Sequence, residues 1–245
     1  MDKSKTQNTA IIYFSLSPRK EAELKSFISE KSFYENYKIA DLLKTHSKCQ
    51  IDQSGLPYYA FDEQNQQGST FGEKLTAAYA EVFEQGYHYV IAVGSDTPRL
   101  STNHILEAAN RLEAQTSDIV LGPATDGGTW LMGFSRHAFD ADIMEQLPWK
   151  DRNLLGTLFT IFGQTLHLSL LDTLDDIDDE ESLSKFIRYR FTEEALLTLQ
   201  RNIRNLIKSE LLQFENTKEY RVPQALIFNF LLRAPPATSD LLLLK

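Results

Sequence analysis

Residues 88–101 read HYVIAVGSDTPRLS and join a run of β-forming residues to two small residues, an aspartate and a proline. The near-continuous apolar part is typical of a strand that is buried on both faces, as strands of parallel sheets are. The polar part has two interpretations. It is a turn, since Asp, Thr and Pro all favour one, or it is a ligand site. In the second case Gly94 and Ser95 let a ligand approach the backbone and Asp96 presents its carboxylate.

Strand-like and helix-like segments alternate around this stretch. Buried strands are predicted at 9–15 (TAIIYFS), 118–124 (DIVLGPA) and 129–135 (TWLMGFS), and an amphipathic helix is predicted at 71–86. Strands separated by helices in this order indicate an α/β protein with a mainly parallel sheet and helices on both faces. Ligands of such proteins bind beyond the carboxyl ends of the strands, which is where we expect Asp96 to lie.

The pattern changes after about residue 190. Residues 192–214 form one long amphipathic stretch with its leucines at helical spacing, ALIFNFLL (225–232) resembles a strand or a buried helical turn, and the ending TSDLLLLK contains four leucines. We therefore expect a domain at 1–190 that contains the site. We expect 191–245 to be a helical extension that packs on this core or on a second subunit, which would make a homodimer.

Composition limits the classes of partner. The 245 residues have a formal net charge of −9, which argues against nucleic acid because its binders need a basic face. No apolar run approaches the ~20 residues that span a bilayer, and MDKSKTQNTA lacks the apolar core of an export signal. With one cysteine, Cys49, we expect a cytoplasmic protein without an intrachain disulfide. The scattered histidines make no zinc motif, so any metal should be a hard, oxygen-liganded one.

A second aspartate, Asp126, lies between two predicted strands in GPATDGGTW. Asp-Gly is a strong signal for a tight hairpin. Two glycines followed by Thr129 and Trp130 also suit a loop that lies against a ligand. In that case Trp130 provides an aromatic surface on which a ring of the ligand can stack. The sequence leaves a hairpin alone and a hairpin with a site equally open.

A third aspartate, Asp178, lies in LDDIDDEESL. Read in isolation, it is the N-cap of a helix, with Glu181 completing a pair like a capping box. A helix N-terminus that holds an aspartate also suits a metal–phosphate assembly. We expect the neighbouring Asp175 and Asp176 to form a solvated acidic turn.

The order of these segments resembles a bacterial family of GT-A-fold, nucleotide-diphospho-sugar-transferase-like proteins. The family includes uncharacterised glycosyltransferases and is related to the molybdopterin and phospholactate nucleotidyltransferases. The resemblance covers about residues 60–187. Its motifs are QQGSTFGEKL (66–75), GSDTPRL (94–100), GPATDGGTWLMGF (122–134), LPWKDRNLLGTLF (147–159) and DIDDEESL (176–183).

The resemblance implies a Rossmann-like GT-A domain that binds a nucleotide or nucleotide sugar through Mg²⁺ or Mn²⁺. It implies that Asp96 and Asp178 are the metal ligands and that Asp126 faces the acceptor or sugar as the catalytic carboxylate. Lys74 is expected to be a solvated helix residue. The residues expected to contact nucleotide or substrate are Ser15, Arg19, Lys25, Gly94, Ser95, Gly127, Gly128 and Thr129.

The chain departs from the family after its first strand. The family commonly has a Pro-Gly-Arg loop followed by Lys-Thr-Arg-Leu, whereas this chain reads SLSPRKEAELKSF (15–27), without glycine. Arg19, Lys20 or Lys25 can still meet a phosphate as point charges. Without glycine, however, the backbone lacks the residue that usually permits a tight approach.

Three functions follow as hypotheses. The leading one is a metal-dependent glycosyltransferase that acts on a nucleotide sugar and a small-molecule acceptor. A nucleotidyltransferase that releases pyrophosphate would have the same acidic edge, but it needs a glycine-rich, basic first loop. A degenerate, non-catalytic binding module is the third, because the first loop is altered and the C-terminus is rich in leucine.

Overall fold

A computed structural model describes residues 8–28, 33–149 and 151–216. Strands and helices alternate through these ranges. The strands are β1 (Thr9–Phe14), β2 (Tyr58–Phe61), β3 (Tyr89–Val93), β4 (Ile119–Pro123), β5 (Thr129–Ser135) and β6 (Leu168–Leu170). The helices are α1 (Pro18–Leu24), α2 (Phe33–Ser54), α3 (Phe71–Glu84), α4 (Thr102–Glu113), α5 (Ala141–Gln146), α6 (Leu154–Phe162), α7 (Glu180–Arg188) and α8 (Glu194–Asn216).

The strands form one sheet in the order β2-β1-β3-β5-β4-β6. β1 pairs in parallel with β2 and β3, and β4 pairs in parallel with β6. β5 is antiparallel to both of its neighbours, β3 and β4. The sheet is therefore mainly parallel, and β5 is the strand that reverses direction. The β4–β5 connection is a hairpin, in which the Gly127 N–H donates to the Ala124 carbonyl at 3.1 Å.

The two faces of the sheet bury separate apolar clusters, because alternate residues of each strand point to opposite sides. Ile12 of β1 packs with the α3, α5 and α6 side, whereas Ile11 packs with α2 and α4 on the other side. Helices thus cover both faces, and the predicted α/β architecture is confirmed. Within the described ranges, no helix combines the length and apolar character needed to cross a bilayer.

The N-cap of α7 is Asp179 and not the predicted Asp178. The Ser182 N–H donates to Asp179 Oδ1 at 2.8 Å, and the Ser182 hydroxyl donates to the same carboxylate oxygen at 2.8 Å. Serine three residues after Asp179 completes a reciprocal capping box, in which the Ser182 hydroxyl oxygen also accepts from the Asp179 N–H at 3.0 Å. The Asp178 carboxylate is therefore not used in capping.

The predicted long C-terminal helix is present as α8. Its Gln200 side chain is buried and donates from Nε2 to the Phe186 and Tyr189 carbonyls at 2.6 and 2.9 Å, which ties α8 to the end of α7. One compact unit of the chain ends at Arg204, and a second begins at Asn205. ALIFNFLL and TSDLLLLK lie outside the described residues. The domain division at 190 and the homodimer stay predictions.

Gly122 and Trp130 make a close contact inside the sheet. A Cβ atom added to Gly122 of β4 would lie 2.4 Å from Cε2 of the buried Trp130 ring. We expect Gly122→Ala to lower the free energy of unfolding by about 1–3 kcal/mol, the usual cost of overpacking. Urea denaturation measures this loss.

A double-mutant cycle supplies the control. In a Trp130→Leu background the ring is absent, so Gly122→Ala should cost less by about 0.5–3 kcal/mol, the range of coupling between touching residues. An equal cost in both backgrounds would show that the tryptophan ring does not explain the glycine.

Candidate functional site

A cavity of about 540 Å³ lies at the edge of the sheet where β1 and β3 end. Four loop segments contribute most of the carboxylates and hydroxyls of its wall: the residue after β1, the loop after β3, the β4–β5 turn with the start of β5, and the segment before α7. The polar residues from these four parts are Ser15, Ser95, Asp96, Asp126, Thr129, Asp176 and Asp178. The three aspartates singled out in the sequence therefore converge, as expected for the carboxyl edge of a mainly parallel sheet.

Main-chain hydrogen bonds hold these loops together. The Ile177 N–H donates to the Asp96 carbonyl at 2.8 Å, and the Thr125 N–H donates to the Leu174 carbonyl at 3.0 Å. A single parallel β-bridge pairs Ser26 with Asp179. Because Lys25 and Asp178 each precede a residue of that bridge, the bridge places the lysine beside the aspartate.

The Lys25 ammonium lies between the two predicted metal ligands. Its Nζ is 2.8 Å from Asp96 Oδ2 and 2.7 Å from Asp178 Oδ1, and Glu21 Oε2 is a third oxygen at 3.7 Å. The lysine side chain is only 19% exposed, whereas that of Asp178 is 53% exposed. One positive charge thus lies close to three carboxyl groups of the cavity wall.

The pKa values of these groups follow from burial and mutual charge. Burial opposes the ionisation of Asp96, but Lys25 outweighs it and holds the pKa of Asp96 below its usual range. Burial also disfavours the charged form of Lys25, yet Asp96, Glu21 and Asp178 raise its pKa overall. Burial raises the pKa of Glu21 despite the nearby lysine. At neutral pH the site therefore contains an ammonium paired with ionised Asp96.

Asp176 was predicted in a solvated turn, and that prediction is wrong. The Thr97 hydroxyl donates a hydrogen bond to the carboxyl group of Asp176. Burial, followed by the charge of Asp96, raises the pKa of Asp176 to about 8. In DID (176–178), alternation around the buried Ile177 puts Asp176 on the same side as Asp178, which links Asp176 to the site but does not report its burial. Asp175, in contrast, is exposed, as predicted.

The other half of the cavity wall is apolar. Phe71 lies between Phe14 and Trp149, with ring centroids 5.6 and 5.2 Å away. Phe71 shares a face of α3 with the buried Leu75 and Ala78, but 48% of Phe71 is exposed. Leu24 is also exposed here, and it lies next to Lys25 in the sequence. Large exposed apolar side chains lining a cavity are characteristic of ligand sites.

Most of the residues predicted to contact nucleotide or substrate line this cavity, and so does Lys74. Arg19 and Gly127 are not part of the wall. The Arg19 side chain is 78% exposed and lies 3.6 Å from Glu23. Gly127 has a positive φ of 96°, and a Cβ there would lie 1.8 Å from the Arg152 carbonyl oxygen. The backbone conformation and the close packing therefore explain this glycine without a ligand.

The loop after β1 has few amides left for a phosphate. The Ser15 N–H donates to the Phe61 carbonyl at 3.1 Å, and the Ser17 N–H donates to the Glu63 carboxylate at 2.7 Å. The Lys20 N–H donates to the Ser17 hydroxyl at 3.3 Å as part of the α1 cap. A phosphate-binding loop, in contrast, points free N–H groups at its anion.

The donor set fits a hard divalent cation that phosphate helps to hold. Asp96 and Asp178 already converge on one cationic group, Lys25 Nζ, and carboxylate oxygens are the ligands that Mg²⁺ and Mn²⁺ prefer. Mg²⁺ is commonly bound by one or two carboxylates plus substrate phosphates. Over the described ranges, no three His, Cys, Asp or Glu side chains are arranged to hold a metal by themselves.

Comparison with known proteins confirms the resemblance seen in the motifs. The model of a family described as "uncharacterized protein conserved in bacteria" (DUF2064) matches residues 57–151. The matched range includes Asp96 and Asp126, whereas Lys25 and Asp178 lie outside it. None of the curated proteins is significantly similar in sequence to this chain.

Solved structures share the fold. One is a protein of Desulfovibrio desulfuricans G20 that carries the provisional name nucleotide-diphospho-sugar transferase. It is 20% identical, with a TM-score of 0.69 over 83% of this chain and 98% of that one. This likeness shows the fold alone, a Rossmann-like mixed sheet.

Two further structures are more distant. Rv0371C of Mycobacterium tuberculosis H37Rv in complex with manganese is 12% identical, with a TM-score of 0.42 over 74% of this chain and 97% of that one. The 4-diphosphocytidyl-2C-methyl-D-erythritol synthase of Anaerococcus prevotii DSM 20548 is 8% identical, with a TM-score of 0.44 over 81% and 99%. Neither likeness is strong enough to bear on the function of this chain.

The acidic cluster predicts that Asp176→Asn stabilises the metal-free protein at high pH. The pKa of Asp176 is about 8 in the folded protein and about 3.9 when unperturbed, so stability is lost as the pH rises between these values. In EDTA at about pH 9, we expect the variant to melt several degrees above the wild type. The difference in melting temperature between the variant and the wild type should be smaller at about pH 5.

Thermal unfolding followed by circular dichroism measures both conditions. Asp175→Asn is the matched control, since Asp175 is an exposed neighbour that accepts a hydrogen bond from Thr125, and it should change little. An Asp176→Asn variant that melts at or below the wild-type temperature at about pH 9 would contradict the environment described for Asp176.

Proposed function

We propose that this protein is a metal-dependent glycosyltransferase that takes a sugar from a nucleotide-diphospho-sugar and passes it to a small-molecule acceptor. The observation that carries the proposal is the convergence of Asp96 and Asp178 on one cationic group, in a cavity that is also lined by the aromatic residues Phe14, Phe71 and Trp149. Such a donor needs both kinds of surface, because its diphosphate is anionic and its base has flat aromatic faces that stack on aromatic side chains.

Asp96 and Asp178 would hold Mg²⁺ or Mn²⁺. When bound, the cation neutralises charge on the nucleoside diphosphate that leaves the sugar. The cavity wall contains five carboxyl side chains and two lysines, Lys25 and Lys74. An anionic donor therefore meets an acidic wall, which explains in electrostatic terms why a divalent cation is needed.

The apolar half of the cavity would bind the base of the donor. Phe71 offers a partly exposed ring that Phe14 and Trp149 hold in place from two sides. A ring fixed by its neighbours loses little conformational freedom when a ligand stacks on it. Gln66, which also lines the cavity, adds an amide that can hydrogen-bond to a base.

Asp126 is the proposed general base for an inverting transfer. Its Oδ1 accepts a hydrogen bond from the Gly128 N–H at 2.9 Å, which fixes the orientation of the carboxylate at the hairpin turn. The residue is exposed at the cavity wall, so an acceptor hydroxyl can reach it. A carboxylate in this position removes the proton of the acceptor hydroxyl as that oxygen attacks the sugar carbon.

The first loop favours a glycosyltransferase over a nucleotidyltransferase. A nucleotidyltransferase must bind a triphosphate, and backbone amides after the first strand usually supply that cradle. In this chain the Ser15 and Ser17 amides already donate to Phe61 and Glu63. The Glu63 carboxylate also adds a negative charge to this loop.

The decisive assay incubates the protein with a panel of nucleotide sugars and nucleoside triphosphates, with and without Mn²⁺. Metal-dependent hydrolysis or transfer of a sugar, detected as released nucleoside diphosphate, supports the proposal. Release of pyrophosphate from a triphosphate and a phosphorylated co-substrate identifies a nucleotidyltransferase instead. Absence of both products, with and without Mn²⁺, favours a non-catalytic module.

The metal assignment predicts that Asp96→Asn abolishes Mn²⁺-dependent nucleotide binding while the fold stays intact. The substitution removes the charge of one of two proposed ligands and leaves the shape of the side chain. Isothermal titration calorimetry with nucleoside diphosphate and Mn²⁺ measures the loss. Asp52→Asn is the matched control, because Asp52 also pairs with a lysine, Lys48, but lies outside the cavity wall. Unchanged binding by Asp96→Asn would count against the site.

The aromatic wall predicts a separate loss. Phe71→Ala should weaken nucleoside diphosphate binding roughly 5- to 150-fold, which corresponds to the 1–3 kcal/mol typical of base stacking on an aromatic ring. Binding of pyrophosphate with Mn²⁺, which has no base, should stay within about twofold of wild type. Competition binding with the two ligands separates the effects, and equal losses for both would place the base elsewhere.

A further inference from the structure

The charge arrangement at Lys25 raises a question that the proposed function leaves open. The ammonium contacts Asp96 at 2.8 Å and Asp178 at 2.7 Å, the same two carboxylates that would hold the metal. Two cations cannot share those oxygens at short range without repelling each other. A metal and the lysine must therefore compete for them.

We propose that Lys25 is a tethered counter-ion that occupies the cation site in the nucleotide-free protein and must leave it for a divalent cation to bind. This inference rests on the proposed function, because it concerns the regulation of the same site. In this arrangement the lysine keeps Asp96 and Asp178 from repelling each other while no metal is present. Donor phosphate then offers the displaced ammonium a new partner within the same cavity.

The position of Lys25 permits this movement. It is the C-cap residue that directly follows α1, with extended backbone (φ −110°, ψ 138°) and its N–H donating to the Glu21 carbonyl. Only its side chain has to move, and four methylene groups give a lysine a long, flexible reach. Glu21 Oε2 at 3.7 Å offers a nearby carboxylate during the exchange.

Competition implies that metal and nucleotide bind cooperatively. Metal binding releases the ammonium for a phosphate, and a phosphate that captures the ammonium exposes the carboxylates to the metal. Each ligand must then raise the affinity of the other by the same factor. Removing the lysine removes the competitor, so the metal alone should bind the variant more tightly than it binds the wild type.

The test is a titration of the full-length protein with Mn²⁺ alone, followed by the electron paramagnetic resonance signal of free Mn²⁺. We expect Lys25→Met to bind Mn²⁺ more tightly than the wild type by a factor in the 5- to 150-fold range of coupled sites. Lys20→Met is the matched control, since Lys20 lies on the same helix and pairs with Glu23 rather than with the site. Its affinity should equal that of the wild type.

Equal or weaker Mn²⁺ binding by Lys25→Met would overturn the inference and leave the proposed function standing, provided that Mn²⁺ still supports nucleotide binding by the wild type. Absence of Mn²⁺ binding to the wild type and to Lys25→Met, with and without nucleotide, would overturn both. In the double variant Asp96→Asn, Lys25→Met, the gained affinity should disappear. Retained tight binding in the double variant would place the metal elsewhere and overturn the inference.

A measurement on the wild type keeps the inference testable if Lys25→Met does not fold. Mn²⁺ should increase acetylation of Lys25 by acetic anhydride, quantified by peptide mass spectrometry, because the displaced amine loses its carboxylate partners. Acetylation of Lys20 in the same digest is the internal reference and should not change. An unchanged Lys25 signal at saturating Mn²⁺ would show that the metal does not displace the lysine.

Discussion

The hydrogen bond from the Ile177 amide to the Asp96 carbonyl is the contact on which the site depends. It joins the loop after β3 to the segment before α7, two parts of the chain that are far apart in sequence. Because it involves the main chain, it fixes backbone positions whatever side chains the two loops carry. The Ser26–Asp179 bridge adds the end of α1 to this junction. Together they place Lys25, Asp96 and Asp178 around one point.

Bringing carboxyl groups to one place has an electrostatic cost that shapes the rest of the cavity. Asp96 stays ionised because Lys25 is beside it, whereas Asp176 has a raised pKa because burial and the charge of Asp96 both oppose its ionisation. A site with more carboxylates than lysines is poorly suited to an anion alone and well suited to an anion that arrives with a cation. The aromatic wall around Phe71 supplies the complementary surface for an uncharged ring.

Local patterns in the sequence predicted the elements and most of the acidic positions. The apolar runs at 9–15 and 88–94 are strands, the Asp126-Gly127 pair makes a hairpin, and the three singled-out aspartates converge as the resemblance implied. Two predictions were wrong, the N-cap of α7 and the solvation of Asp176. Asp178 and Asp179 are both competent N-caps, and Ser182 decided in favour of Asp179. The polar sequence around Asp176 favours a solvated turn, because local polarity reports neither the burial of Asp176 nor the nearby charge of Asp96.

The sequence by itself determined the α/β class, the mainly parallel sheet, and the carboxyl edge as the place where Asp96, Asp126 and Asp178 would lie. The fold class and the place of Asp96 follow from hydrophobic periodicity and from turn chemistry, both of which act over a few residues. The place of Asp126 and Asp178 beside Asp96 was implied by the family motifs. Only the tertiary structure decided that Lys25 lies between Asp96 and Asp178, that Asp176 is half-buried, and that Phe71 is part of a cavity wall. The physical reason is that charge pairing and desolvation depend on distances across space, which a linear pattern does not encode.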